Sequence, residues 1–192
     1  NVEDVRQIAS RRQAGHWALP TVPGSPEIPR KELHAVYESL VTAAEFFDLK
    51  NTHQSGFEFD DAEAMYVAYR DELFKFDQLY RHFCEFADKS QRWNIVKDLR
   101  EQVAAAYSHW YITTLGLAWG KFVEGGLLDK WQINGVGNEY DFYQRHVQPR
   151  LKEAENRKAY VIISDAFRYE AAQELTQELN GKYRFAASLS SQ

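Results

Sequence analysis

Near the end of the chain, Asp165, Arg168 and Glu170 lie in the stretch AYVIISDAFRYEAAQEL, and their types and spacing suit chemistry. The apolar run Tyr160–Ile163 stops just before Asp165, and a helical pattern with Ala171, Ala172, Leu175 and Leu179 on one face follows. An aspartate at such a junction has two roles open to it. It can cap the helix by accepting a backbone N–H bond, or it can be a hard oxygen ligand for a divalent cation. Arg168, in the first turn, opposes the helix macrodipole at about 0.3–1 kcal/mol if nothing compensates. A bound phosphate would compensate, because a guanidinium offers a two-pronged fork to an anion. An ion pair with Asp165 or Glu170 would do so equally well.

The elements that must position these residues follow from the pattern on either side. Tyr160–Ile163 lacks polar alternation, as expected of a strand covered on both faces in a parallel sheet. Asn180 and Gly181 are C-terminal helix signals, and Phe185, Ala187 and Leu189 recur at period two, as in a second strand. Strand, helix and strand make a βαβ unit with a right-handed crossover, and Asp165 falls at the carboxyl end of its first strand, where open α/β sheets hold ligands. One such unit cannot bury itself. With Asn1 at the start and RFAASLSSQ at the end, we expect a piece of a longer protein that opens a larger α/β domain.

Upstream, the periodicity is helical. Residues 1–14 carry Val2, Val5, Ile8 and Ala9, and GHWALPTVPGSPEIPR then holds four of the 5 prolines, which makes an extended connector. Leu33, Val36, Leu40, Ala43 and Phe47 give the next helix. Ala62, Tyr69, Phe76 and Phe83 recur at intervals of seven, with Tyr66, Leu73, Tyr80 and Ala87 as a second register. Asp60 followed by Glu63 resembles a capping box, and a helix of about 42 Å suggests an elongated bundle. Leu99, Val103, Ala106, Trp110, Thr113 and Leu117 form a third pattern. These aromatic seams read as core rather than as a stacking platform for bases. WQINGVGNEYDFY breaks the region; its GVG matches no phosphate-loop spacing and reads as a turn. One more charged helix follows, interrupted at Pro149.

Composition narrows the classes. A net charge of −5 with no basic block argues against direct nucleic-acid binding by this chain. No apolar run suits a membrane span, and one cysteine, Cys84, excludes an internal disulfide and fits a reducing, cytoplasmic setting. The 6 histidines (His16, His34, His53, His82, His109 and His146) lack metal-ligand spacing, and His82 with Cys84 shares no helix face well. Ser188, Ser190 and Ser191 have no evident base and read as loop residues.

The core D-A-x-R-Y-E, here Asp165, Ala166, Arg168, Tyr169 and Glu170 after an apolar strand, resembles the opening of the PglZ domain. That family occurs in bacterial BREX-type phage-defence systems and is placed in the alkaline phosphatase superfamily; the motif likeness covers residues 158–192. The resemblance implies a metal-dependent phosphohydrolase in which Asp165 is a strand-end ligand of a divalent metal, zinc or similar. Arg168 and Glu170 belong to the signature, as phosphate-binding or structural members. In that superfamily divalent ions polarise the phosphoryl group and activate a serine or threonine, and that nucleophile and the other ligands are expected beyond residue 192. No catalytic residue is expected within this chain, which should be inactive by itself and hold no metal.

The expected organisation is a short helix and Pro-rich connector (1–28), a helical bundle region (29–157), and the incomplete start of a PglZ-like α/β domain (158–192). The fold class is therefore mainly α, followed by the first βαβ unit of an alkaline-phosphatase-like domain. Expected partners are other phage-defence proteins and a phosphate ester or phosphodiester substrate, with no membrane. The alternative is a helical scaffold that docks partner defence proteins.

Overall fold

A computed structural model of the chain describes residues 1–15, 30–90, 93–153, 158–182 and 187–190. The Pro-rich connector lies outside them. All regular structure among the described residues is helical: α1 (Val2–Gln13), α2 (Arg30–Thr52), α3 (Ala62–Ala68), α4 (Phe74–Lys89), α5 (Trp93–Ala105), α6 (Thr113–Phe122), α7 (Leu128–Lys130), α8 (Gln148–Glu153) and α9 (Tyr169–Lys182). Four π-helical segments intervene, at Tyr69–Leu73, Ala106–Ile112, Val123–Leu127 and Tyr143–Val147. Contacts divide the chain into two units, Asn1–Glu58 with Lys75–Ala118, and Phe59–Phe74 with Trp119–Gln192.

The first unit holds most of the apolar core. Ala43 of α2, Phe83 and Ala87 of α4, and Val96 and Val103 of α5 form one buried cluster. Phe46 meets Phe76 edge-on at 5.5 Å, and Phe76 stacks on Tyr111 at 4.6 Å. Burying a phenylalanine of this kind contributes about 1.5–3 kcal/mol. Asp77 is buried beside these rings, and its carboxylate accepts from Tyr107 Oη at 2.6 Å and Tyr111 Oη at 3.2 Å. Two donated hydrogen bonds offset the desolvation that would make a bare carboxylate intolerable there. α1 is tied to α2 by Arg6 Nε donating to Glu45 Oε1 at 3.0 Å and by Gln13 Nε2 donating to Glu38 Oε1 at 2.9 Å.

The α2 and heptad patterns fall on helices as expected, but two details differ. The cap of α3 is Asp61, whose Oδ1 accepts from Ala64 N at 2.7 Å, rather than Asp60. In the third pattern Leu99 and Val103 face inward and Trp110, half-buried, still packs on Phe76 and Phe57, but Tyr111 takes the fully buried place and the expected Thr113 and Leu117 give way to Thr114 and Ala118. Tyr111 is fully buried, whereas Leu117 is 66% exposed. The π segment Ala106–Ile112 explains the slip: a wider turn accommodates an extra residue, so every later position rotates by one.

In the second unit, α6 ends in the π segment Val123–Leu127, within which Gly126 takes φ 108°. A left-handed Trp131 (φ 43°) then closes α7. The GVG stretch is a turn, with Gly135 at φ 73°. Pro149 sits at the second position of α8, just after the π segment Tyr143–Val147, where its missing N–H is accommodated.

The βαβ unit does not appear. No β-strand forms among the described residues; Tyr160, Ile162 and Ile163 are 89%, 92% and 90% exposed. A parallel strand needs neighbours to accept and donate its backbone hydrogen bonds and helices to cover both faces, and among the described residues Tyr160–Ile163 has no strand beside it. Residues 183–186 of the expected second strand lie outside the described residues. Ala187 instead pairs with a side chain: its N–H donates to Asn180 Oδ1 at 2.8 Å, and Asn180 Nδ2 donates to its carbonyl at 2.9 Å. α9 runs through Asn180 and Gly181 to Lys182, beyond the expected stop.

Candidate functional site

Asp165 and Ala166 form a tight turn, with Ala166 at φ 56°. The left-handed region costs a residue with a Cβ about 1–2 kcal/mol, so surrounding structure holds this turn. α9 begins only at Tyr169. Asp165 therefore stands outside the first turn and is not its N-cap, which removes the bland role open to it in the sequence. Its side chain is exposed.

Arg168 and Glu170 come together. Arg168 Nε lies 3.2 Å from Glu170 Oε1, with the arginine half exposed and the glutamate fully buried. Of the roles open to Arg168, pairing with Glu170 is realised. A buried carboxylate requires such a partner, since desolvating it otherwise costs several kcal/mol. Between them, Tyr169 is the anchor: its ring meets Phe74 edge-on at 5.4 Å and Tyr69 at 6.3 Å. Burial raises the Tyr169 phenol above its ordinary value; the neighbouring Arg70 acts against this, while Asp71 and Tyr66 add to it. Arg70 grips Asp71 through two bonds, Nε to Oδ1 at 2.7 Å and Nη2 to Oδ2 at 3.1 Å. The pair holds Asp71 below the usual carboxylate range and Arg70 above its own. The DAFRYE turn is thus fastened at its helical end to residues 69–74, leaving Asp165 at the free end.

The described residues contain no group of three His, Cys, Asp or Glu side chains able to hold a metal ion. An exposed Asp165 supplies one oxygen donor site and does not make a metal centre from these residues alone. Ser188 and Ser190 are exposed, and Ser191 lies outside the described residues. Cys84 is a half-buried thiol, and burial pushes it up, despite Tyr80 and Arg100 acting the other way; it is not poised as a nucleophile. Sequence reasoning missed the anchoring role of Tyr169. The heptad residue Tyr69 and the off-register Phe74 that receive it carried no signal of a partner so far along the chain.

Residues 142–192 match the family model described as the BREX system PglZ alkaline phosphatase-like domain, which bears out the resemblance read from Asp165 to Glu170. The chain is similar to the "Alkaline phosphatase-like protein BrxZ" of Escherichia coli O9:H4 (strain HS), 36% identical over 193 residues that take in 99% of this chain and 21% of that protein. It is also 31% identical over 173 residues to the "Alkaline phosphatase-like protein PglZ" of Bacillus cereus (strain H3081.97), covering 90% of this chain and 18% of that one. The chain therefore spans about a fifth of the length of these curated relatives. No solved structure matches it. No helix among the described residues is long and apolar enough to cross a membrane.

Proposed function

We propose that this chain leads into and opens the catalytic domain of a BREX phage-defence protein, and that the whole protein is a metal-dependent phosphatase or phosphodiester hydrolase. One observation carries the reading: the match over residues 142–192 takes in the complete DAFRYE turn, whose strained, anchored geometry presents an exposed carboxylate. Asp165 is one ligand of a divalent ion, zinc or similar, whose remaining ligands and the nucleophile come from elsewhere in the whole protein. Arg168 and Glu170 serve the signature as a structural ion pair, with the exposed guanidinium able to meet a phosphate. In the whole protein Tyr160–Ile163 becomes the first strand of a βαβ unit once neighbouring strands pair with it. The chain by itself is inactive, works in the cytoplasm, and has other phage-defence proteins as partners. A second reading, a docking scaffold, draws support from exposed apolar residues on the helices, such as Leu117 and Leu128, each 66% exposed.

The test is hydrolysis of a generic phosphate monoester and diester by the whole protein with and without added divalent metal, beside Asp165→Asn. Activity should need the metal, and the variant should lose at least about 10- to 100-fold, the loss seen even for groups that merely support a ligand. Full activity in Asp165→Asn would remove the ligand assignment. A folded, inactive parent with every metal would leave the scaffold reading in its place.

A further inference from the structure

The loop that breaks the helical region borders a cavity of about 290 Å³ that the proposed hydrolysis does not use. Four rings line it: Tyr66 of α3, Trp119 of α6, Trp131 at the end of α7, and Tyr140 of the short turn after the loop. Gln132, Asn138 and Glu139 supply the polar edge, and the described lining includes no lysine, arginine or histidine. At this size, the lower end of the range for ligand sites, it takes one ring system rather than an extended molecule.

The backbone at Trp131 marks the cavity as built. Trp131 holds φ 43° and ψ 50°, a conformation rare for a bulky residue and of the kind that clusters at ligand clamps. Its N–H is fixed by Leu127 O at 2.7 Å, while the ring remains 59% exposed at the cavity. Tyr66 lines the cavity while its Oη is itself buried, so the residue offers its ring rather than its hydroxyl.

We propose that this cavity binds the nucleobase of a free nucleoside or nucleotide. Aromatic faces accept a flat heteroaromatic ring by stacking, and the polar edge matches its mixed donors and acceptors. Asn138 Oδ1 is already engaged by Tyr140 N at 3.3 Å, which leaves its amide NH₂ to donate. Glu139 accepts from an exocyclic amino group. Without a cation in the lining, a phosphate finds no partner and faces solvent. A sugar ring alone would present hydroxyls to a mostly apolar lining and leave them unpaired. The inference stands independently of the hydrolase reading.

The test is titration of the whole protein with adenosine, guanosine, cytidine and uridine, read by ligand-observed NMR and calorimetry. At least one should bind saturably, weakened about tenfold or more in Trp131→Ala and in Tyr66→Ala, each of which removes a stacking ring. The matching 5′-monophosphate should bind no tighter than the nucleoside. A short single strand binding more tightly than the mononucleotide would make a strand the source of the base; equal or weaker binding would keep the free nucleotide. The proposal is overturned if no nucleoside saturates at millimolar concentration, if both variants bind like the parent, or if a neutral sugar displaces the base.

Discussion

Phe76, on a heptad seam of the first unit, and Ile162, in an apolar run of the second, are both large apolar residues, yet Phe76 is fully enclosed and Ile162 is 92% exposed. The difference lies in how each backbone meets its own demands. A helix closes its hydrogen bonds within the segment, so α4 can form and offer Phe76 to Phe46 and Tyr111. Tyr160–Ile163 belongs to an element whose bonds must come from a neighbour. The first unit therefore stores stability, while the segment leading to Asp165 stores a geometry that other parts of a protein must complete.

Substitutions can break or sharpen that contrast. Phe76→Ala should cost about 3–5 kcal/mol in chemical denaturation; a loss below about 1 kcal/mol would mean the ring is not core. In the other region, Ala166→Gly removes a left-handed strain of about 1–2 kcal/mol but adds unfolded-state freedom worth about 0.4–1 kcal/mol. The net should be a stabilisation of up to about 1.6 kcal/mol, and a clear destabilisation would contradict the turn at Asp165–Ala166. The smallest effect is alkaline. Tyr169 is raised above 10.0 when folded, so the folded state holds its proton more tightly. Its contribution is complete below pH 10.0 and is lost as pH rises through the higher folded value. Tyr169→Phe should shallow the loss of thermal stability above pH 10, though only partly, because burial raises Tyr80 as well. An unchanged alkaline slope would remove Tyr169 from the buried set.

Much of the helical region was legible because burial repeats at the helix period. Phe76, Phe83, Leu73 and Ala87 all face inward as their heptads require. The pattern failed where backbone geometry changed without a residue type that announces it. The π segment Ala106–Ile112 contains no proline or glycine, yet it moves the fully buried place from the expected Trp110 to Tyr111. At the candidate site, Asp165, Arg168 and Glu170 were legible as a group from their place after an apolar run. Their separation into an exposed carboxylate and a half-exposed arginine paired with a buried glutamate was not, because it depends on Tyr69 and Phe74 receiving Tyr169. The Tyr66–Trp131 cavity was likewise hidden: GVG read correctly as a turn, but nothing in the spacing tells which rings a turn folds over.

The pair of hydrogen bonds between Asn180 and Ala187 carries one more consequence. A carboxamide that both accepts from an amide N–H and donates to the same residue's carbonyl imitates one rung of a β-ladder. Asn180 thus acts as a placeholder, keeping residue 187 turned outward as a strand residue would be while no strand lies beside it. A strand pairing there would have only to displace two bonds of the same kind, an exchange close to neutral in free energy.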